Sequence, residues 1–214
     1  MIGMNGDYMD LPNVLEGGPS RLCFYHMGMM VGSTSNIALL PETDTVVAIL
    51  ANASPLGDGA DWISQMIMEA LFDPPTKHDY EGLAEEMALK VLDHIPSIGK
   101  ELEGKRLPGT KPSNATKSYA GIFKHEKTPF TLEIKVAPDD MTLTFNGYEE
   151  ETYPLRHYHN DTFTWWVPFN DASRRGRLLM YYNANTFLIN FEGTDRLTWL
   201  SGDIGSEAYV FSRV

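Results

Sequence analysis

Six histidines and one cysteine stand in this chain of 214 residues, and their placement bounds the chemistry open to it. His26 lies in the run Cys23-Phe24-Tyr25-His26-Met27-Gly28. An extended backbone alternates its side chains, so Phe24, His26 and Gly28 share one face while Cys23 and Tyr25 take the other. A thiol and an imidazole this close suggest a nucleophile with its base, but a spacing of three separates them across the strand. In an apolar strand Cys23 reads equally as a small core residue. His157 and His159 share a face, with Arg156 and Tyr158 opposite, and a His-x-His pair can chelate a metal. No third ligand accompanies them, so no metal site is read here, and no cofactor is expected. Phe163, Trp165, Trp166, Tyr181, Tyr182, Phe187, Phe191 and Trp199 concentrate aromatic rings in the same half of the chain. They fill a core or line an apolar ligand cavity, and the sequence leaves both open. Arg174, Arg175 and Arg177 read as a solvated loop or as a charged rim for an anionic ligand.

Short apolar runs position His26. Residues 22–30, 36–40 and 45–50 read as three strands joined by Gly32-Ser33-Thr34 and by Pro41-Glu42-Thr43-Asp44, which predicts an antiparallel meander. Asp61 can cap a helix over 61–72 whose apolar stripe is Trp62, Ile63, Met66, Ile67, Ala70 and Leu71. A second helix opens near Asp79 with Tyr80, Leu83, Ala84, Met87, Val91, Leu92 and Ile95 on one side, and Pro96 should stop or kink it. Residues 104–117 are polar and aperiodic and read as a linker between domains 1–103 and 118–214. Beyond 118 the pattern alternates. Segments 119–124, 131–136, 141–145, 153–159, 163–167, 178–182, 187–191, 197–200 and 209–213 read as strands, with Asn146-Gly147 a hairpin turn. About eight or nine strands in roughly 100 residues is the spacing of a small closed barrel or sandwich. The fold class is therefore α+β: a small antiparallel sheet with helices, then an antiparallel barrel or sandwich.

Composition narrows the function. The chain carries 17 Lys+Arg against 29 Asp+Glu, a net charge of -12, which disfavours nucleic acid as a partner because phosphates demand basic residues. No apolar run approaches the roughly 20 residues of a membrane helix, so no membrane partner is expected. The opening ten residues hold neither a basic cluster nor an apolar core, so no secretory leader is read and a cytoplasmic location is expected. The chain opens on Met1, and a self-standing protein is expected.

Taken in series, Tyr25-His26-Met27-Gly28, Gly32-Ser33-Thr34-Ser35, Leu39-Leu40-Pro41-Glu42 and Val46-Val47 through Ala51-Asn52 form a distinctive pattern. Over residues 20–73 it resembles the C-terminal part of the β-lactamase-related serine hydrolases, the family of penicillin-binding proteins. The resemblance implies that His26 and Gly28 lie on the strand at the substrate cleft, with the following helix packed on the sheet. Tyr153-x-Leu155-Arg156-His157-Tyr158-His159, Phe163-x-Trp165 and Arg174-Arg175-Gly176-Arg177 are similar to the lipocalin-like barrel appended to some members. The family's nucleophile sits in a Ser-x-x-Lys motif far upstream of His-x-Gly, and only about 25 residues precede His26 here. Ser97-Ile98-Gly99-Lys100 and Tyr158-His159-Asn160 spell family motifs, but both follow His26 and break the family order. The resemblance thus implies a truncated β-lactamase-like fold without the serine chemistry.

The expected function is binding of a small, largely apolar or amphipathic molecule, with cyclisation, isomerisation or addition promoted by positioning. His26, His157 and His159 are the candidate catalytic groups. Tyr25, Gly28, Arg156, Tyr158, Phe163, Trp165 and Tyr181 are the candidate ligand contacts. A truncated sheet leaves apolar surface to cover, which predicts a homodimer. The alternatives are the C-terminal portion of an active serine hydrolase and a non-enzymatic interaction protein.

Overall fold

The computed structural model describes residues 4–30, 32–53, 56–138, 140–177, 182–199 and 208–214. The chain forms two compact units, Met1–His94 and Ile95–Val214. Both sheets are antiparallel, and the fold class is α+β. Among the described residues no helix is long and apolar enough to cross a membrane.

The first unit is built on strands β1 (Phe24–Met30), β2 (Ser33–Leu40) and β3 (Thr45–Ala51), in the order β1-β2-β3. Met30 pairs with Ser33, so Ser33 and Thr34 belong to β2 and not to the turn expected there. Gly32, at φ 84°, supplies the left-handed residue that so tight a reversal needs. Helix α1 (Gly59–Phe72) packs on one face of this sheet. Its N-cap is Asp58, whose side chain accepts from the Asp61 backbone N–H, so the cap stands three residues before the expected one. The buried face of α1 is also not the apolar stripe. Asp61, Ser64, Gln65, Met68 and Glu69 turn inward with Trp62, while Ile63, Met66 and Leu71 are exposed. Asp61 meets Tyr25 and Asn36 of the sheet, Gln65 donates to Asp61, and Glu69 is bonded by His78 and Tyr80. A small core of Ala38, Leu40, Val47 and Met68 completes the contact.

The opposite face of the sheet is open. Phe24, Leu39 and Val46 are aligned across the three strands, as are His26, Ile37 and Ala48. Phe24, Ile37, Leu39, Val46 and Leu50 are all exposed, Leu50 at 86%.

Helix α2 (Tyr80–Lys105) buries Tyr80, Met87, Val91, Ile95, Ile98 and Leu102. Pro96 neither ends it nor marks its boundary; the helix runs on for nine further residues. The ring is exposed, so the Leu92 carbonyl that loses its partner can turn to water.

Among its described residues the second unit carries nine strands: β4 (Gly121–His125), β5 (Thr131–Ala137), β6 (Asp140–Phe145), β7 (Thr152–Pro154), β8 (Arg156–His159), β9 (Thr162–Thr164), β10 (Leu188–Glu192), β11 (Arg196–Trp199) and β12 (Tyr209–Arg213). Their order is β7-β6-β5-β4-β12-β11-β10-β9-β8. The two ends of this order are consecutive in sequence. The single strand expected over 153–159 is therefore two strands that part at Leu155, β7 on β6 and β8 on β9, and this corner brings the sheet close to a closed barrel. Asn146 and Gly147 both take positive φ, at 51° and 70°, and form the turn their sequence predicts. A short helix α3 (Phe169–Arg174) follows β9. The strand expected over 178–182 falls almost wholly outside the described residues.

Segment 106–115 is fastened to the barrel unit. Leu107 N donates to Tyr158 O at 3.1 Å, and Ser113 donates to both carboxylate oxygens of Asp161, at 2.8 and 2.7 Å.

Candidate functional site

The strand order leaves β1 paired with β2 alone among the described strands. A cleft of about 920 Å³ lies beside β1. Residues 13–21 form one wall, and Cys23 with Tyr25, His26 and Met27 of β1 form the other. Leu40 and Met68 reach it from the core. Because the cleft meets the edge and not a face, it collects side chains from both sides of the strand. Tyr25 and Cys23 lean toward α1, and His26 stands exposed on the open side.

Tyr25 is fixed by what lies beneath it. Its Oη donates to Asp61 Oδ1 at 3.0 Å. Asp61 Oδ2 accepts from Gln65 Nε2 at 2.8 Å, and longer contacts of 3.5 Å reach it from Asn36 Nδ2 and Asn5 Nδ2. Asn5 and the Asp58 backbone exchange two hydrogen bonds, at 2.7 and 3.2 Å. Asn5, Asn36, Asp58, Asp61 and Gln65 are all buried. Burial pushes the Asp61 carboxyl above the usual carboxylate range, and the bonds from Tyr25, Gln65 and Asn5 offset part of that rise. Burial also raises Asp58, against the pull of the Asp61 backbone N–H. The Tyr25 phenol is driven well up, first by burial and then by the neighbouring Asp61 charge, so it stays neutral, with its proton on the Asp61 bond and its oxygen left as an acceptor. Asn36 Oδ1, Asp58 Oδ2, Ser64 Oγ, Gln65 Oε1 and the Trp62 indole N–H have no hydrogen-bond partner, which makes this interface costly in proportion to its polarity.

The surroundings of Cys23 disfavour the thiolate. Burial pushes its thiol up, and Sγ turns to the Phe24 carbonyl at 3.8 Å. Gly28 sits beside its cross-strand partner Ser35, and a Cβ added there would come 2.7 Å from Ser35 Oγ.

The remaining candidates lie in the barrel unit. His157 and His159 do not share a regular face. A bulge between them sets His157 opposite Phe163 and His159 opposite Thr162. His157 Nε2 meets the Asn160 carbonyl at 2.9 Å, and its ring packs edge-on to Phe163. Arg156 is exposed and pairs with Glu103 at 2.6 Å, whereas Tyr158 is buried, so the two point apart and not together as alternation predicts. Phe163 and Trp165 belong to a packed aromatic interior with Phe123, Phe145, Phe187 and Trp199, so these rings fill a core. Arg177 is no free rim either: it is salt-bridged to Glu151 at 2.5 Å and stacked over Phe145. Arg174 remains on the surface. Tyr181 lies outside the described residues. Ser97 and Lys100 stand within α2.

Asp61, Asn36 and Gln65 escape a search for catalytic motifs. Their one sequence signal is the polar repeat Asp61-Gln65-Glu69, spaced by four along α1.

A family model described as a domain of unknown function (DUF3471) matches residues 105–200. No curated protein matches the chain. Among solved structures, the chain is similar to the octameric penicillin-binding protein homologue from Pyrococcus abyssi, at 18% identity and a TM-score of 0.27, over 88% of this chain and 33% of that one. The chain therefore spans about a third of the length of that protein.

Proposed function

We propose that this protein is a truncated relative of the β-lactamase-related serine hydrolases that holds a small, largely apolar molecule in the cleft beside β1. The observation that carries the reading is the cleft itself, whose wall and floor take Val14, Leu15, Met27, Leu40 and Met68 around two polar groups, Tyr25 and His26. Sites for small molecules share this make-up: apolar lining and few, placed polar groups. The neutral phenol of Tyr25, its one proton given to Asp61, offers its oxygen as an oriented acceptor. His26 gives an imidazole at the rim. Such a site can steer a cyclisation, isomerisation or addition by holding a reactive conformer, without a covalent nucleophile. The filled interior of the barrel supports the cleft over the barrel as the ligand's place. Native mass spectrometry after incubation with an organic extract of the source organism tests this. A non-covalent adduct is expected on the wild type and not on Met27→Trp, which fills the cleft from β1. No adduct on either, or equal adducts on both, overturns the assignment.

A second reading is favoured by one observation. The outer face of the small sheet exposes Phe24, Ile37, Leu39, Val46 and Leu50, and the outer face of α1 exposes Ile63, Met66 and Leu71, apolar surface of a kind that marks interaction sites. Further elements of a serine hydrolase would cover them in a longer chain; a second copy would cover them in a homodimer. An upstream Ser-x-x-Lys in the transcript would establish the first. A dimer mass in light scattering that falls to the monomer in Leu50→Glu would establish the second.

A further inference from the structure

Away from Tyr25 and Asp61, a tight set of titratable groups lies at the connection between α1 and α2. His78 Nδ1 is 2.5 Å from Glu69 Oε1 on α1, and His78 Nε2 is 3.0 Å from Glu16 Oε2 in the segment that walls the cleft. Glu69 Oε1 also accepts from Tyr80 Oη at 2.7 Å, and Glu69 Oε2 from the His78 backbone N–H at 3.2 Å. The Thr76 N–H donates to the Glu16 carbonyl at 3.3 Å, so the wall is tied here by backbone as well. The other charged groups of this connection are engaged elsewhere. Lys77 pairs with Asp73 and donates to the Glu69 carbonyl, both at 2.9 Å, and Asp79 accepts from the Gly82 N–H at 3.0 Å.

We infer that His78 is a proton-operated latch on the cleft: the doubly protonated ring holds Glu16 and the 13–21 wall, and loss of one ring proton lets that wall loosen. Two carboxylates flank the ring, and only an imidazolium has an N–H for each. A neutral ring must drop one of them. Glu69 is the better held, with its side chain 6% exposed and two further donors, whereas Glu16 is 46% exposed. The remaining N–H therefore stays on Glu69, and a bare lone pair faces the Glu16 carboxylate. The wall is not cast off, because Val14 and Leu15 still pack on the core and the Arg21 guanidinium still lies 4.4 Å over the Phe72 ring.

Glu69 raises the titration of His78 above the ordinary imidazole value; burial opposes this and Glu16 adds to it. Burial pushes Glu69 up, but the bonds from His78 and Tyr80 outweigh it and hold the carboxyl below its usual range. Because His78 titrates above the ordinary imidazole value, its hold on Glu16 is lost as pH rises through the folded-state value of His78.

The consequence for ligand binding rests on the cleft assignment above, so the test is read on the ligand-free protein. Hydrogen exchange is followed by mass spectrometry between about pH 5.5 and 9, normalised to intrinsic rates, on peptides covering 13–21 and Thr76. Protection is expected to fall up to about fivefold across the His78 titration, the change that loss of a part-exposed ion pair of about 1 kcal/mol gives. In Glu16→Gln, whose amide can accept from or donate to either ring form, the pH step should vanish. A flat wild-type profile, or the same step persisting in Glu16→Gln, overturns the latch. A step without any retained ligand would overturn the cleft assignment and leave the latch standing.

Discussion

Replacing Tyr25 by Phe removes one oxygen and leaves the ring, so no cavity term enters. What is lost is the 3.0 Å hydrogen bond to Asp61. A bond to a charged group contributes about 1.5–3 kcal/mol. Asp61 keeps Gln65 at 2.8 Å, so its carboxylate is not stranded and the cost belongs at the low end, about 1.5–2 kcal/mol at neutral pH. The pH dependence is the sharper part. Tyr25 donates to the charged form and is the largest of the hydrogen-bond effects drawing the Asp61 titration down. That share of stability is present while Asp61 is ionised and is lost as pH falls through its folded-state value. Once Asp61 is neutral, the phenol makes an ordinary bond of about 0.5–1.5 kcal/mol. Urea titrations of both proteins, read by hydrogen exchange of α1 peptides so that the first unit is followed by itself, should give a cost that shrinks in acid. A cost below about 0.5 kcal/mol at neutral pH, or one that grows in acid, refutes the account of Tyr25 as held by an ionised Asp61.

Three further outcomes follow from the same coordinates. Pro96→Ala restores a donor inside α2 at an exposed position and should stabilise the helix by about 1–3 kcal/mol, seen as a higher urea midpoint. Gly28→Ala sets a methyl 2.7 Å from Ser35 Oγ and should cost about 1 kcal/mol by the same titration; Gly28→Ala with Ser35→Ala should recover most of it. Trp165→Ala empties the centre of the aromatic interior and should destabilise the barrel unit by about 3–5 kcal/mol, read in its exchange protection.

The strands were legible in the sequence because period-two alternation and turn chemistry are local. Leu132, Ile134, Met141 and Leu143 announce β5 and β6 without reference to anything distant, and Thr45 through Leu50 announces β3. The orientation of α1 was not legible. Its apolar stripe points outward because Asp61 and Gln65 meet Tyr25 and Asn36, which lie 36 and 25 residues away from Asp61. No local window contains that decision. The parting of β7 from β8 at Leu155 has the same origin, since continuous alternation does not tell which neighbour each half will take. For the site, His26 and Tyr25 were found through their motif, and the cleft gathers both. His157 and His159 were misplaced by a bulge, which shifts the period by one residue and leaves no mark in composition.

The order of the nine strands also governs when the barrel unit can complete itself. β12 lies between β11, its near neighbour in sequence, and β4, which was laid down some ninety residues earlier, with Arg213 N–H groups reaching back to the carbonyls of Ser118 and Ala120. During synthesis β4 to β6 emerge early and can pair with one another, but the outer edge of β4 has no partner until Tyr209–Arg213 has left the ribosome. For that interval a nascent chain exposes a strand edge able to recruit the same edge of a neighbouring chain on the polysome.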